Sequence, residues 1–279
     1  MLLSNTDPAL RRCWHPVALV DEVAAGPIEV RLLGETWKVG ADLTADGVAA
    51  VVEHDGLVFL APEPPVNELL DLGLGDGDDR DAFDVGWLDP LRARVGAGLM
   101  TDNFLDMAHF PYVHGATIGT ADSARVEAMT VTRESLGMTV VSEHPFQHHE
   151  DPGVAAGLRP LVQRRRLTYV YRAPFSVCLR IEYLDAGGTN TIAFYVQPES
   201  DRSCRLYAAV YRNDLGGDEA AMRGAVRYET AIVAEDVELQ TRYRDLRLPL
   251  DLRTEVHVKA DAATIELRRI LADLVAVAG

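Results

Sequence analysis

The sequence predicts an α+β fold in which a curved antiparallel sheet closes over helices, with a small β unit in front. Three observations predict it. Short apolar runs broken by tight turns fill the front of the chain. Longer segments of period-two alternation run over residues 126–212. The period then changes to that of helices, over residues 219–243 and 260–277. With 279 residues the chain is one large domain or two modest ones, long enough to bury a substantial core.

The front unit is read as two hairpins. Residues 28–33 and 36–39 flank a Gly34-Glu35 turn, and residues 51–53 and 56–60 flank His54-Asp55. The PEPP at 62–65 is a stiff extended connector. Residues 72–82, LGLGDGDDRDA, have the glycine and aspartate density of a solvated loop. A helical stretch over 98–108 precedes the sheet. The sheet strands are read at 126–133 and 138–144, joined by a Ser-Leu-Gly turn, then at 166–171, 176–183, 191–197 and 205–212. Within 176–183, Val177, Leu179, Ile181 and Tyr183 alternate with Cys178, Arg180 and Glu182, which predicts a sheet with one buried face. In the last helix Ile265, Ile270, Leu271 and Leu274 form the apolar stripe.

Composition narrows the function. Basic residues number 27 against 43 acidic ones, a net charge of −16, and that field repels nucleic-acid phosphates and anionic membrane surfaces. No apolar run approaches the roughly 18 residues of a membrane span, and the opening residues do not read as a signal peptide. Cys13, Cys178 and Cys204 lie far apart with no C-x-x-C, so reduced thiols in a cytoplasmic protein are expected.

The informative stretch is residues 101–114, TDNFLDMAHFPYVH, in which Asp106, His109 and His114 follow D-x-x-H-x-x-x-x-H. Asp106 and His109 are one helical turn apart and share a face, and Pro111 is read as ending the helix, so that the step to His114 crosses a bend and both imidazoles converge. Two neutral imidazoles suit Fe, Zn or Cu; an added carboxylate suits a non-haem ferrous site with open positions.

DNFLDMAHFPYVH resembles the mononuclear iron motif of the Rieske-type non-haem iron oxygenases, most closely their vanillate-demethylase-like and ketosteroid-hydroxylase-like branch. CWHPVALVDEV, PIEVRLLGETWKV and VVEHDGLVFL resemble the front of that family, and AIVAEDVELQTRY its acidic helix motif. The resemblance implies a helix-grip (START-like) mononuclear iron domain over 65–279 behind a residual Rieske-like β unit over 1–64. It implies His109, His114 and Asp236 as ligands of one Fe(II), with Glu235 the alternative to Asp236. It places Asp106 as the hydrogen-bond acceptor of a ligand histidine and Asn103 near the metal. A carboxylate on the far ring nitrogen fixes the tautomer and the ring orientation.

The chain departs from the family at the cluster. The family carries C-x-H and C-x-x-H between its Leu-Leu-Gly-Glu and Gly-Leu-Val-Phe strands, whereas residues 36–53 here hold neither cysteine nor histidine. The expectation is one mononuclear iron, no [2Fe–2S] cluster, and electrons supplied by a separate electron-transfer protein or by the substrate. Members of the family form head-to-tail trimers through contacts that include the domain shortened here. The leading function is an Fe(II) oxygenase that uses O2 on a small, mostly apolar, aromatic substrate. Its competitors are a redox-neutral lyase or hydrolase at the same metal and a non-catalytic small-molecule-binding protein.

His144, His148 and His149 in SEHPFQHHED read as a solvated or pocket-rim loop, and His15 and His54 as packing or surface groups. Arg164, Arg165 and Arg166 open a strand as a solvated edge, with a clamp for a substrate carboxylate as the alternative.

Overall fold

The computed structural model describes residues 1–75, 77–115, 126–149 and 152–279. Its centre is an antiparallel sheet of eight strands among the described residues. The order across it is Asp84–Trp87, Ser203–Arg212, Thr189–Ser200, Ser176–Tyr183, Val162–Arg172, Gly137–Gln147 and Met129–Arg133, with Leu91–Ala93 also pairing on Ser203–Arg212. Three helices cover one side: Ala97–Leu105, the long Glu219–Gln240 and the C-terminal Ala262–Ala278. Asp218 caps the long helix by accepting from the Ala220 and Ala221 amides. The C-terminal helix buries Leu267, Ile270, Leu271 and Leu274, so Leu267 rather than the half-buried Ile265 begins its stripe. No described helix is long and apolar enough to cross a membrane.

The sheet is buried on both faces at its centre, where alternation predicts one. Val177 and Leu179 face the helices, and Cys178 is equally buried on the opposite side with Tyr195 and Tyr207. That second face is covered by the front unit, whose strands His15–Leu19, Ala50–His54 and Leu57–Ala61 form a small sheet, and by Leu70, Leu72 and Leu74. Residues 72–82 are therefore only partly a solvated loop: their leucines are anchors and Asp78–Asp81 makes a helical turn, while Asp76 lies outside the described residues. The front unit is tied to the main sheet by backbone bonds from Leu33 and Gly34 to Pro198 and Glu199, and Leu2–Leu3 pairs with Leu248–Pro249. All three cysteines are free and buried.

Both front hairpins turn one residue away from the expected place. Ile28–Leu32 pairs with Glu35–Val39 about Leu33-Gly34, and Ala50–His54 with Leu57–Ala61 about Asp55-Gly56. All four turn residues have positive φ, from 50° to 85°, the geometry of a two-residue turn whose twist matches the strands. A glycine in second place satisfies it; one in first place followed by glutamate does not.

The expected helix over 98–108 stops at Leu105, and Pro111 does not end it. Pro111 sits instead in the first turn of a separate short helix, Phe110–Val113, where its missing N–H costs nothing. The histidine-rich stretch is also corrected. His144 lies inside the strand Gly137–Gln147, because that strand runs three residues further than its apolar alternation, and His148 stacks on Tyr183 at 4.7 Å. Residues 150 and 151 of that stretch lie outside the described residues. His15 is fully buried and bonds the Leu10 carbonyl at 2.8 Å, a packing role.

Candidate metal centre

The helix Ala97–Leu105 is held against residues 246–250 so tightly that a Cβ on Gly96 would meet the Leu246 carbonyl oxygen at 1.9 Å. Its last turn carries Asn103, and the chain leaves the helix at Asp106 in an extended conformation. The Ala108 amide donates to Asp106 Oδ1 at 2.8 Å, which shapes the turn leading to His109. His109 and His114 then stand at the two ends of the short helix Phe110–Val113. Asp106 and His109 thus meet across a turn and not along a helix face. Asp236 comes from the long helix, 122 residues further on, which packs beside both pieces.

These elements bring three donor atoms to one point. His109 Nε2 is 3.1 Å from His114 Nε2, and Asp236 Oδ1 is 3.3 Å and 3.1 Å from the two nitrogens. Among the described residues this is a group able to hold a metal, with all its donor atoms within 4.8 Å of one another. Ligands about 2.1 Å from a metal and at right angles stand about 3.0 Å apart, and tetrahedral ones about 3.4 Å, so the spacing fits a shared cation. Asp236 Oδ1 is buried with no hydrogen-bond partner, an orphan that a cation would satisfy.

The far side of each ring is held by a carboxylate. Glu235 Oε2 is 2.7 Å from His114 Nδ1, and Asp106 Oδ2 is 3.5 Å from His109 Nδ1. The Glu235 contact keeps the proton of His114 on Nδ1 and turns its Nε2 lone pair inward, whereas Asp106 lies within charge reach of His109, whose buried Nδ1 has no hydrogen bond of full geometry. Glu235 is therefore not an alternative to Asp236 in the donor group; it orients His114 from behind.

The electrostatics follow from this crowding. Burial pulls the His109 imidazole down, but Asp106 and Asp236 outweigh it and hold it up at about 9. His114 is raised in the same way against its burial, by Asp236 and Glu235. Burial pushes the Asp236 carboxyl up, yet the two imidazoles and the Asn103 amide bring it down to about 2. No bond of full geometry joins Asn103 to Asp236, but Gln240 Nε2 donates to Asn103 Oδ1 at 3.2 Å and fixes that amide beside the carboxylate.

Two partners escaped the sequence reading: Glu229 and Gln240. Burial, with the Asp236 charge, pushes the Glu229 carboxyl up to about 7. Their signal was the spacing, since Glu229, Asp236 and Gln240 recur at seven and four residues on one face of the long helix.

Replacing an orienting carboxylate is expected to weaken the site without destroying it. Glu235→Ala and Asp106→Asn should each reduce ferrous affinity by about 10–100-fold, with the larger effect at Glu235, whose contact is the shorter. Equilibrium dialysis of Fe(II) under argon measures this. An unchanged affinity in Glu235→Ala would show that His114 is positioned by other contacts.

The family model of the vanillate O-demethylase oxygenase C-terminal domain matches residues 93–277. A curated relative, "Probable methylxanthine N7-demethylase NdmC" of Pseudomonas sp. (strain TJI-51), is 26% identical over 273 residues, 93% of each chain. Among solved structures, NdmA of Pseudomonas putida CBB5 with caffeine has a TM-score of 0.74 at 16% identity, covering 96% of this chain and 92% of that one. Dicamba monooxygenase bound to 3,6-dichlorosalicylic acid has a TM-score of 0.72 at 15% identity, covering 96% and 98%.

Proposed function

The chain belongs to the family of the vanillate O-demethylase oxygenase C-terminal domain, and from that premise we propose that it is a mononuclear non-haem Fe(II) oxygenase that removes a methyl group from a small aromatic substrate. The observation that carries the reading is the convergence of His109, His114 and Asp236 around an orphaned carboxylate oxygen. The named relatives are a methylxanthine demethylase, a caffeine-bound protein and a dicamba monooxygenase. Demethylation balances as substrate methyl, O2, two electrons and two protons giving the demethylated product, formaldehyde and water.

Ferrous iron, when bound, supplies the chemistry that couples O2 to the methyl carbon. His109, His114 and Asp236 would hold it through two nitrogens and one oxygen. Glu235 holds a proton on the outer nitrogen of His114, Asp106 stands as a counter-charge 3.5 Å from that of His109, and Gln240 fixes the Asn103 amide beside the Asp236 carboxylate. Phe104, one residue from Asn103, stacks on Phe194 at 5.2 Å between ring centroids and stands edge-on to Tyr169 at 6.2 Å. These rings pack as an aromatic cluster against the helix that carries Asn103, and on this reading they are the apolar surroundings nearest the site that a planar substrate would meet.

The same reading treats residues 1–64 as a residual Rieske-like β unit and 65–279 as a helix-grip catalytic domain in a cytoplasmic protein. It assigns no iron–sulfur cluster to the chain, because residues 36–53 offer no cysteine or histidine. Two electrons per O2 must then arrive from a separate redox protein or from the substrate. Anaerobically loaded ferrous protein, mixed with O2 and a methylated arene, separates the cases. A ferrous ion passing to ferric supplies only one of the two electrons, so the reading expects less than one formaldehyde per iron without a reductant, and sustained turnover only after a ferredoxin and reductase are added. Many turnovers without a reductant would move the electron source to the substrate. Turnover under argon would contradict the oxygenase reading and favour redox-neutral chemistry.

A further inference from the structure

The helix Ala97–Leu105, whose last turn reaches the metal centre, cannot cap itself. Its N-cap residue is Gly96, which has no side chain to accept from the first turn. Serine, threonine, aspartate and asparagine, the usual caps, are excluded there by space, because any Cβ would run into the Leu246 carbonyl oxygen. The cap comes instead from Asn5, 92 residues before Ala97 in the chain. Its Oδ1 accepts from the Ala97 amide at 2.7 Å, and its Nδ2 donates to the Val95 carbonyl at 3.2 Å and to Cys204 Sγ at 3.3 Å. Asn5 is buried, and Val95, Ala97 and Cys204 are fully so.

The segment that carries Asn5 is fastened on both sides of it. Leu2 and Leu3 pair with Pro249 and Leu248, and the Leu250 amide donates to the Met1 carbonyl. Leu248 in turn lies against the first turn of the helix, where a Cβ on Gly98 would meet its Cβ at 2.9 Å. After Asn5, the short helical turn Pro8–Arg12 packs on the C-terminal helix. The first twelve residues thus form a strap across the entry of the helix Ala97–Leu105.

Seven of the nine residues in that helix are buried. Apolar contacts therefore surround it, and such contacts are non-directional: they hold the helix in the core without fixing its axial position or rotation. Hydrogen bonds have direction. Side chains supply them at three places along the helix, from Asn5 in the first turn, from Arg268 to Asp102, and from Gln240 to Asn103 in the last turn. Nine residues span about 13 Å, and the far end sets Asn103 beside Asp236 and Asp106 beside His109. A slip at the entry is carried to both of these partners.

We propose that Asn5 is a positioning residue for the metal centre: by capping the helix from outside, it sets the register at which Asn103 and Asp106 meet Asp236 and His109. The inference rests on the reading of His109, His114 and Asp236 as metal ligands and not on the reaction they serve. The test is titration of Co(II), whose visible bands report the geometry of its ligands, into metal-free protein under argon, beside a thermal melt of each variant. Asn5→Ala should weaken Co(II) binding about 3–10-fold and shift the bands, a smaller loss than the roughly 10–100-fold of a group that touches a ligand. Asn5→Asp still accepts from the Ala97 amide, at a helix N-terminus that favours its charge, and should regain part of the affinity. Asn5→Gln keeps the amide but misplaces it by one methylene; it should show an intermediate loss, and it reads the same effect if Asn5→Ala does not fold. A lowered melting temperature with wild-type affinity and bands in these variants would make the cap purely structural and overturn this proposal alone. Wild-type protein that binds no Co(II), or undiminished binding in His114→Ala, would overturn the metal reading, and this proposal falls with it.

Discussion

Replacing His114 by alanine is expected to abolish turnover and to remove most of the iron. The side chain is almost completely buried, its Nε2 stands 3.1 Å from each of the other two donor atoms, and its Nδ1 is held by Glu235. Removing it leaves a nitrogen and an oxygen, two ligands where a ferrous ion needs three, and strips Glu235 of this partner. The loss of affinity should exceed the roughly 10–100-fold typical of an orienting group. His109→Ala and Asp236→Ala are expected to behave in the same way, read by iron content after gel filtration and by formaldehyde formation. If Asp236→Ala kept iron and turnover while Glu235→Ala lost both, the roles of these two neighbouring carboxylates would be exchanged.

The largest expected effect on stability lies behind the site. Arg268, on the C-terminal helix, is 4% exposed and donates to both carboxylate oxygens of Asp102, to Glu255 and to the Thr264 carbonyl. Asp102 is on the helix that carries Asn103, so this pairing joins the C-terminal helix to the metal centre. Burial pushes the Asp102 carboxyl up, to about 6, even with Arg268 beside it, which shows how poorly that place tolerates an unaccompanied charge. Arg268→Met is expected to cost about 1–3 kcal/mol, since the carboxylates it leaves unpaired are partly exposed and partly solvated. Chemical denaturation measures it. Arg268→Met combined with Asp102→Asn should recover part of the loss, because the second change removes the stranded charge. A loss below about 1 kcal/mol would mean that water reaches Asp102 and solvates it.

How legible all this was in the sequence depends on the range of the contact. The strands of the main sheet and the two long helices were readable because their periodicity is local, and Ser176–Tyr183 appears with the expected bounds. The hairpin turns moved by one residue because backbone handedness, not glycine alone, selects the turn pair, as Leu33 at φ 54° shows. The burial of Cys178 was not readable, since nothing within its strand announces that the front unit lies across the back of the sheet. At the site, His109, His114 and Asp236 were placed by resemblance, and the structure brings them together. Pro111 misled, because a proline that ends one helix and a proline that begins the next look alike in sequence. Glu235 was read as a substitute for Asp236. Only the fold shows that the two neighbours on the helix reach opposite sides of His114, one toward its Nε2 and the other toward its Nδ1.

The central claim is a single mononuclear iron held by this chain, and iron and inorganic sulfide measured in the same anaerobically loaded sample test it most directly. The account predicts one iron per chain, no sulfide, and loss of that iron in His114→Ala. Stoichiometric sulfide, or an iron content unaffected by His114→Ala, would contradict it.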